Sequence, residues 1–309
     1  MHDLNFKNRV AVITGAGRGL GRAYAILLAS KGAKIVVNDP GVSLQGAGVD
    51  VGPAEEVVRE IRRVGGQAVA CTESVATPEG GKAIIQAALD NYGRIDILIH
   101  NAGIVRRAPL QEISYEDFET VLDVHLRGGF HVVRAAFPLM CKASYGRIVL
   151  TSSINGLYGN SNVVNYSVAK AGLIGLSNVA ALEGAAEGVK SNIILPGAVT
   201  RMAEGLDTSA YPPMDPELVA PVVAWLAHEA CSITGEMLIA MAGRVARAFA
   251  GETSGVYRPT WTIEEVAEQI DAIRNTDPPV IFPVVPSGHI DHLRYSFAMA
   301  KGQQSSEKH

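Results

Sequence analysis

The stretch Val10-Ala-Val-Ile-Thr14-Gly-Ala-Gly-Arg-Gly-Leu-Gly21 decides the fold. Val10 to Ile13 is a short apolar run rich in branched side chains, consistent with a buried strand. It leads directly into a glycine loop spaced Gly15-x-x-x-Gly19-x-Gly21. Arg22 to Ser30 then carries helix formers, and Gly32 stops that helix. Strand, glycine loop and helix make half a βαβ unit. The glycines let backbone approach a pyrophosphate and let the helix pack close to the strand. The helix N-terminus offers free N–H groups and a positive dipole end to the phosphates. Leu20 stands where the third glycine of Gly-x-Gly-x-x-Gly would fall, so the loop departs from that pattern.

The next apolar run, Lys34 to Asp39, ends in a carboxylate. An acid there suits the ribose hydroxyls of NAD and repels the extra phosphate of NADP. Arg18, a cation in the glycine loop, suits that phosphate instead, so the reading favours NAD and leaves NADP open. Further strands are expected at 68–71, 95–99, 147–150, 192–195 and 236–239. Helical patterns fill 54–65, 78–92, 114–141, 165–184 and 217–231 between them. Strands alternating with helices of this length predict an α/β fold. Its core is a single Rossmann-type doubly wound parallel sheet of about seven strands, with helices on both faces, over residues 1–245. Segments 40–53 and 200–216 read as loops, the second lying over the site. In such sheets the ligand lies beyond the carboxyl ends of the strands. Gly15, Asp39, Asn101, Ser153 and Pro196 all follow such ends.

One of those ends opens Thr151-Ser-Ser153, and Tyr166 and Lys170 follow. A Tyr and a Lys four residues apart share one helix face. An unperturbed tyrosine, with a pKa of about 10, is a poor base at neutral pH. A neighbouring cation is expected to lower that value. Ser153 can hold a carbonyl or alcohol oxygen. Together they are the parts needed to move a proton to or from a secondary alcohol.

Composition excludes other classes. The chain has 309 residues, 48% apolar and 19% charged, with net charge −4. Its basic pairs, Arg62-Arg63 and Arg106-Arg107, are too short for a nucleic-acid stripe and read as solvated helix or loop ends. Three widely spaced cysteines make no disulfide framework, and His289 and His292 lack further ligands, so no metal is expected. No apolar run approaches the ~18 residues of a membrane span. A polar N-terminus without a signal peptide and an ending of Glu307-Lys308-His309 make the cytoplasm the expected location.

Residues 246–309 read as a C-terminal extension. Thr262-Ile-Glu-Glu265 is a capping box opening one amphipathic helix to about Arg274, with Ile263, Val266, Ile270 and Ile273 on one side. Gly302 to His309 reads as a disordered tail.

Thr14-Gly-x-x-x-Gly-x-Gly21, Asn101-Ala-Gly103, Ser153 with Tyr166-x-x-x-Lys170, and Pro196-Gly197 together resemble the short-chain dehydrogenase/reductases, over about residues 6–243. Gly19 to Tyr24, Val37-Asn-Asp39, Val124 to Gly128 and Gly156 to Asn160 resemble its (3R)-hydroxyacyl-CoA dehydrogenase branch. The resemblance implies an NAD-dependent oxidoreductase for a 3-hydroxyacyl-CoA, bulky or steroid-derived chains included. The alternatives are an NADPH-dependent 3-oxoacyl-carrier-protein reductase, a 17β-hydroxysteroid dehydrogenase and, of another class, a non-catalytic cofactor-sensing protein. It also implies roles. Tyr166 would be the acid/base, Lys170 would lower its pKa and bind the nicotinamide ribose, and Ser153 would position the substrate oxygen. Gly15, Arg18, Gly19 and Leu20 would line the pyrophosphate, Asp39 the adenosine ribose, and Ser74 and Val75 the adenine. Asn101, Ala102 and Gly103 would lie along the nicotinamide, with Pro196, Gly197, Val199 and Thr200 near its carboxamide. Many members carry Asn where His125 stands, supporting a proton-relay water; His125 takes that role or is a satisfied core histidine. A homodimer or homotetramer through the long helices around His125 and Tyr166 is implied as well.

Overall fold

A computed structural model describes residues 4–41, 52–200 and 211–306. The expected loops at 40–53 and 200–216 lie mostly outside these residues. The chain divides into two compact units, Met1–Arg247 and Ala248–His309.

Among the described residues eight strands form one sheet in the order β3-β2-β1-β4-β5-β6-β7-β8. They are β1 (Val10–Thr14), β2 (Lys34–Asn38), β3 (Gln67–Cys71), β4 (Ile97–His100), β5 (Gly146–Thr151), β6 (Val189–Gly197), β7 (Met237–Met241) and β8 (Arg244–Ala248). The pairs from β3 through β7 are parallel. Parallel strands covered on both faces must be apolar throughout, and β1, β4 and β5 are buried along their whole length. The eighth strand exceeds the expected seven. Its Arg244, Val245 and Arg247 are exposed, so it carries no apolar run to announce it. Ala242 and Gly243, at φ 49° and 77°, make the two-residue turn into it.

Helices α1 (Gly19–Ser30), α2 (Gly52–Arg63) and α8 (Ala220–Ala227) pack together on one face. On the other lie α3 (Pro78–Tyr92), α4 (Tyr115–Leu122), α5 (Gly128–Lys142) and α7 (Val164–Gly184), with the one-turn α6 (Asn155–Tyr158) against α7. Ala11 and Ile13 of β1 join Tyr24 and Leu28 of α1 and Val223 and Leu226 of α8 in the main core. Each fully buried Ile or Leu contributes about 1.5–3 kcal/mol. The single helix expected over 114–141 is three pieces, because Asp123–Arg127 forms a π-turn between α4 and α5. Ser114 caps α4 by accepting from Asp117 N at 3.0 Å. The Asp117 carboxylate pairs with Arg106 at 2.6 Å.

β1 and β4 are neighbours where the strand order reverses, which opens a crevice at their carboxyl ends.

In the second unit Glu252 and Val280 exchange two backbone hydrogen bonds, and Thr253 Oγ1 donates to Ile273 O. The capping box of Thr262 and Glu265 is present and opens α9 (Ile263–Glu268). The one expected helix breaks at Gln269 before α10 (Ile270–Ile273), and a further helix, α11 (His289–Ser306), follows. Gly302 therefore sits in helical backbone where a disordered tail was expected. The prolines ahead and the polar residues behind hide α11 from its sequence.

Candidate active site

The crevice holds a cavity of about 500 Å³. Its nucleotide end is built by β1 and the turn into α1. Gly15 has φ +63°, and a Cβ there would lie 2.7 Å from Ala102 Cα, so only glycine lets the two strand ends approach. Asn101 Nδ2 ties the turn down by donating to Gly15 O at 3.1 Å. The α1 N-terminus, without a side-chain cap, leaves N–H groups for an anion. Asp39 accepts from Gly17 N at 3.0 Å through one carboxylate oxygen and from Gly41 N at 2.8 Å through the other. Each oxygen keeps a lone pair for a further donor, and the carboxylate lines the cavity.

At the other end, β5 delivers Thr151, Ser152 and Ser153, and α7 presents Tyr166 and Lys170. Lys170 is buried, and its Nζ donates to Thr151 O at 2.5 Å. Ser152 Oγ donates to Lys170 O at 2.6 Å, pinning α7 to the strand end. Burial holds the Lys170 ammonium down to about 7. Its Nζ lies 5.5 Å from the Tyr166 ring centroid. Burial pushes the Tyr166 phenol up, opposed by a hydrogen bond with Ser153 and by the charge of Arg107. The lowering expected from a neighbouring lysine is therefore not met in the protein alone. Desolvation of the phenolate outweighs the Ser153 hydrogen bond and the Arg107 charge together. Ser153 Oγ also accepts from Asn155 N at 3.1 Å.

His125 sits in the π-turn, fully buried, edge-on to Tyr166 with ring centroids 5.2 Å apart. Its Nε2 faces the backbone of Ile104, 3.0 Å from the N and 2.8 Å from the O. Its Nδ1 has no partner among the described residues. Any side chain at Gly103 would run into this ring. Below it, Thr14 Oγ1 accepts from Asn101 N and Ala102 N, each at 3.1 Å. Its proton therefore goes to His100 Nδ1 (3.0 Å), and His100 Nε2–H donates to His125 O at 2.9 Å. That wiring requires a neutral His100, and burial holds its pKa down to about 3. Burial, with the Lys170 charge adding to it, likewise lowers His125.

Gly15, Arg18, Gly19, Leu20, Asp39, Ser74, Val75, Asn101, Ala102, Gly103, Tyr166, Lys170, Pro196, Gly197 and Thr200 all line the one cavity. Ser153, His125 and Val199 do not, though Ser152, Val124 and Ala198 beside them do. Ile104, Thr120, Asp123 and Met214 also line it and were missed. Thr120 and Asp123 belong to the α4 end and the π-turn, which no sequence pattern announces. Asn165 was missed as well. Its Nδ2 donates to Arg106 O and Asp117 O, and its Oδ1 accepts from Tyr166 N. An Asn directly before the Tyr is the signal for that anchor. Among the described residues no group of three or more His, Cys, Asp or Glu could hold a metal, and no helix is long and apolar enough to cross a membrane.

A family model for short chain dehydrogenase matches residues 9–209. The peroxisomal multifunctional enzyme type 2 of Drosophila melanogaster is 49% identical over 241 residues, covering 78% of this chain and 40% of that protein. This chain thus spans less than half the length of that relative. A short-chain type dehydrogenase/reductase of Mycobacterium tuberculosis is 44% identical over 263 residues, 84% of this chain and 92% of the relative. The solved full-length Drosophila enzyme superposes with a TM-score of 0.79 at 38% identity, over 96% of this chain and 50% of that one.

Proposed function

Since this chain belongs to the short-chain dehydrogenase family and is an oxidoreductase acting on CH–OH groups, we propose that it interconverts a 3-hydroxyacyl-CoA and its ketone using NAD. The observation that carries this reading is the meeting of Tyr166 and Lys170 with the glycine turn and Asp39 in one cavity. A bound nicotinamide supplies hydride-transfer chemistry. The α1 N-terminus holds the pyrophosphate, and Asp39 takes the adenosine ribose hydroxyls. Ser74 and Val75 flank the adenine, while Asn101 to Gly103 and Pro196 to Thr200 hold the nicotinamide end. Ser153 holds the substrate oxygen, and Tyr166 exchanges the hydroxyl proton with it. Lys170 supplies the positive charge beside that exchange, and a pKa near 7 leaves it partly protonated at working pH. His125 backs the Tyr166 ring, with one ring nitrogen free to bond a relay water.

An acyl chain finds apolar surface at Tyr158, past Ser153, and at Val199, past Pro196, both exposed. A second reading, reduction of a 3-oxoacyl carrier with NADPH, draws on Arg18 in the cavity wall. Initial rates with NAD and NADPH separate the two; a strong NADPH preference defeats the first. Replacing Tyr166 by Phe tests the chemistry. Turnover should fall by about 10²–10⁴ with dinucleotide binding intact, and near-normal turnover would rule the mechanism out.

The proposal extends to residues 1–245 as the catalytic domain and 246–309 as its extension. Assembly into a dimer or tetramer through α5 and α7 is supported by exposed Phe130, Val168 and Val179 on those helices; a monomer in sedimentation would refute it. A cytoplasmic setting accords with three free cysteines. Fractionation into peroxisomes, where the fly relative's name places that protein, would overturn it.

A further inference from the structure

Arg106 and Arg107 stand together on the loop that leaves β4, and they behave differently. Arg106 pairs with Asp117 at 2.6 Å and is half-buried. Arg107 is exposed and, among the described residues, makes no hydrogen bond or ion pair. Its backbone is nonetheless fixed against the segment that carries Tyr166. Ala108 N donates to Asn162 O at 3.1 Å, and Arg106 O accepts from Asn165 Nδ2 at 3.1 Å. The Tyr166 phenol feels the Arg107 charge. A guanidinium is thus carried on a loop tied to the Tyr166 segment, with its five donors unspent among the described residues. Its immediate neighbours in sequence, Ala108, Pro109 and Leu110, carry no charge to neutralise it.

We propose that Arg107 is a specificity-determining residue: its unneutralised charge at the mouth of the site draws in the phosphate-bearing carrier of a thioester substrate. The proposal rests on the thioester reading and adds the group that recognises the carrier. Coenzyme A presents several phosphoryl charges at the end of a long flexible arm. A cation at the mouth acts on such a group through the field, without needing contact at the reacting carbon. The chain as a whole is acidic, at net charge −4, so a local cation is needed to offset the repulsion of an anionic substrate.

The test compares two thioesters of one 3-hydroxy acid, that of coenzyme A and the uncharged one of N-acetylcysteamine, in the parent and in Arg107→Ala. The quantity read is the ratio of their kcat/KM values. The ratio should fall about three- to tenfold in the variant at low ionic strength. The fall should shrink at high salt, where the Debye length contracts to a few ångströms. Arg107→Lys, which keeps the charge, should restore most of the ratio. A 3-hydroxyacyl phosphopantetheine thioester, with one phosphate, should lie between the two. An unchanged ratio in Arg107→Ala, or an equal loss with both thioesters at every salt concentration, would overturn the proposal while leaving the thioester reading standing. Failure of the parent to turn over either thioester would remove the reading and the proposal together.

Discussion

Replacing Lys170 by Met should stabilise the cofactor-free protein near pH 6 while abolishing its activity. The ammonium is buried against Thr151 O, and burial brings its pKa from 10.5 to about 7 in the folded chain. That difference of roughly 3.5 units, at about 1.4 kcal/mol per unit, puts a ceiling of roughly 5 kcal/mol on the cost of the charged form. Methionine keeps the volume but leaves Thr151 O without its donor, costing about 1–3 kcal/mol. The net expectation is a gain of roughly 2–4 kcal/mol at pH 6. The sign across pH follows from proton counts. Between about 7 and 10.5 the unfolded chain holds a proton that the folded chain has released, so the parent gains stability as pH rises. Methionine has no such linkage, so its advantage should shrink by roughly 3 kcal/mol between pH 6 and 9.5. Urea denaturation of both proteins at four pH values, followed by circular dichroism, measures the difference. A difference that stays constant over that range would show that Lys170 titrates normally when folded, and the argument from burial would fail.

Three further outcomes are expected. Tyr24 is fully buried, and among the described residues its hydroxyl has no partner, so Tyr24→Phe should raise stability by about 1–2 kcal/mol in urea titration; a loss would mean the hydroxyl is hydrogen-bonded. Asp39→Ser removes the ribose carboxylate and one acceptor each for Gly17 N and Gly41 N. It should lower kcat/KM for NAD on the order of tenfold while leaving or improving that for NADP, and an unaltered preference would remove Asp39 from cofactor choice. His100 is neutral when folded, with a pKa of about 3. Below 6.5 the unfolded chain takes up a proton that the folded chain refuses, so stability falls as pH drops from 6.5 toward 3. His100→Asn should flatten that fall in acid titrations followed by fluorescence, and an unaltered acid slope would contradict it.

Much of the fold was legible because a doubly wound sheet writes its strands as apolar runs. Val10–Ile13, Ile97–Ile99 and Ile148–Leu150 are buried on both faces and read as such. β8 was not legible. An edge strand with exposed Arg244 and Arg247 has no hydrophobic signature, and its turn uses Ala242 at positive φ where Asn or Gly would have signalled. The π-turn was hidden for a different reason. It is fixed by what surrounds it: the ring of His125 fits only over Gly103, and His100 takes up His125 O from below. No local pattern in 114–141 contains that information.

Residue identity in the site was more legible than residue state. Tyr166 and Lys170 can be paired from spacing alone, and spacing suggests a cation lowering a phenol. Depth decides otherwise, because both groups lose water and each is driven toward its neutral form. Around them lie two more bases, His100 and His125, both buried and both lowered in part by Lys170. Three buried basic groups this close together cannot all be charged. The Thr14 hydroxyl, committed to two backbone N–H groups, forces His100 to accept and so keeps it neutral. Burial keeps His125 neutral as well, and a second cation beside Lys170 would be repelled. Of these three buried groups, the positive charge is thereby left to Lys170. In the proposed chemistry that is the place where a charge helps, beside the oxygen whose proton Tyr166 exchanges. The histidines serve that arrangement by staying neutral, whether or not His125 also carries a relay water.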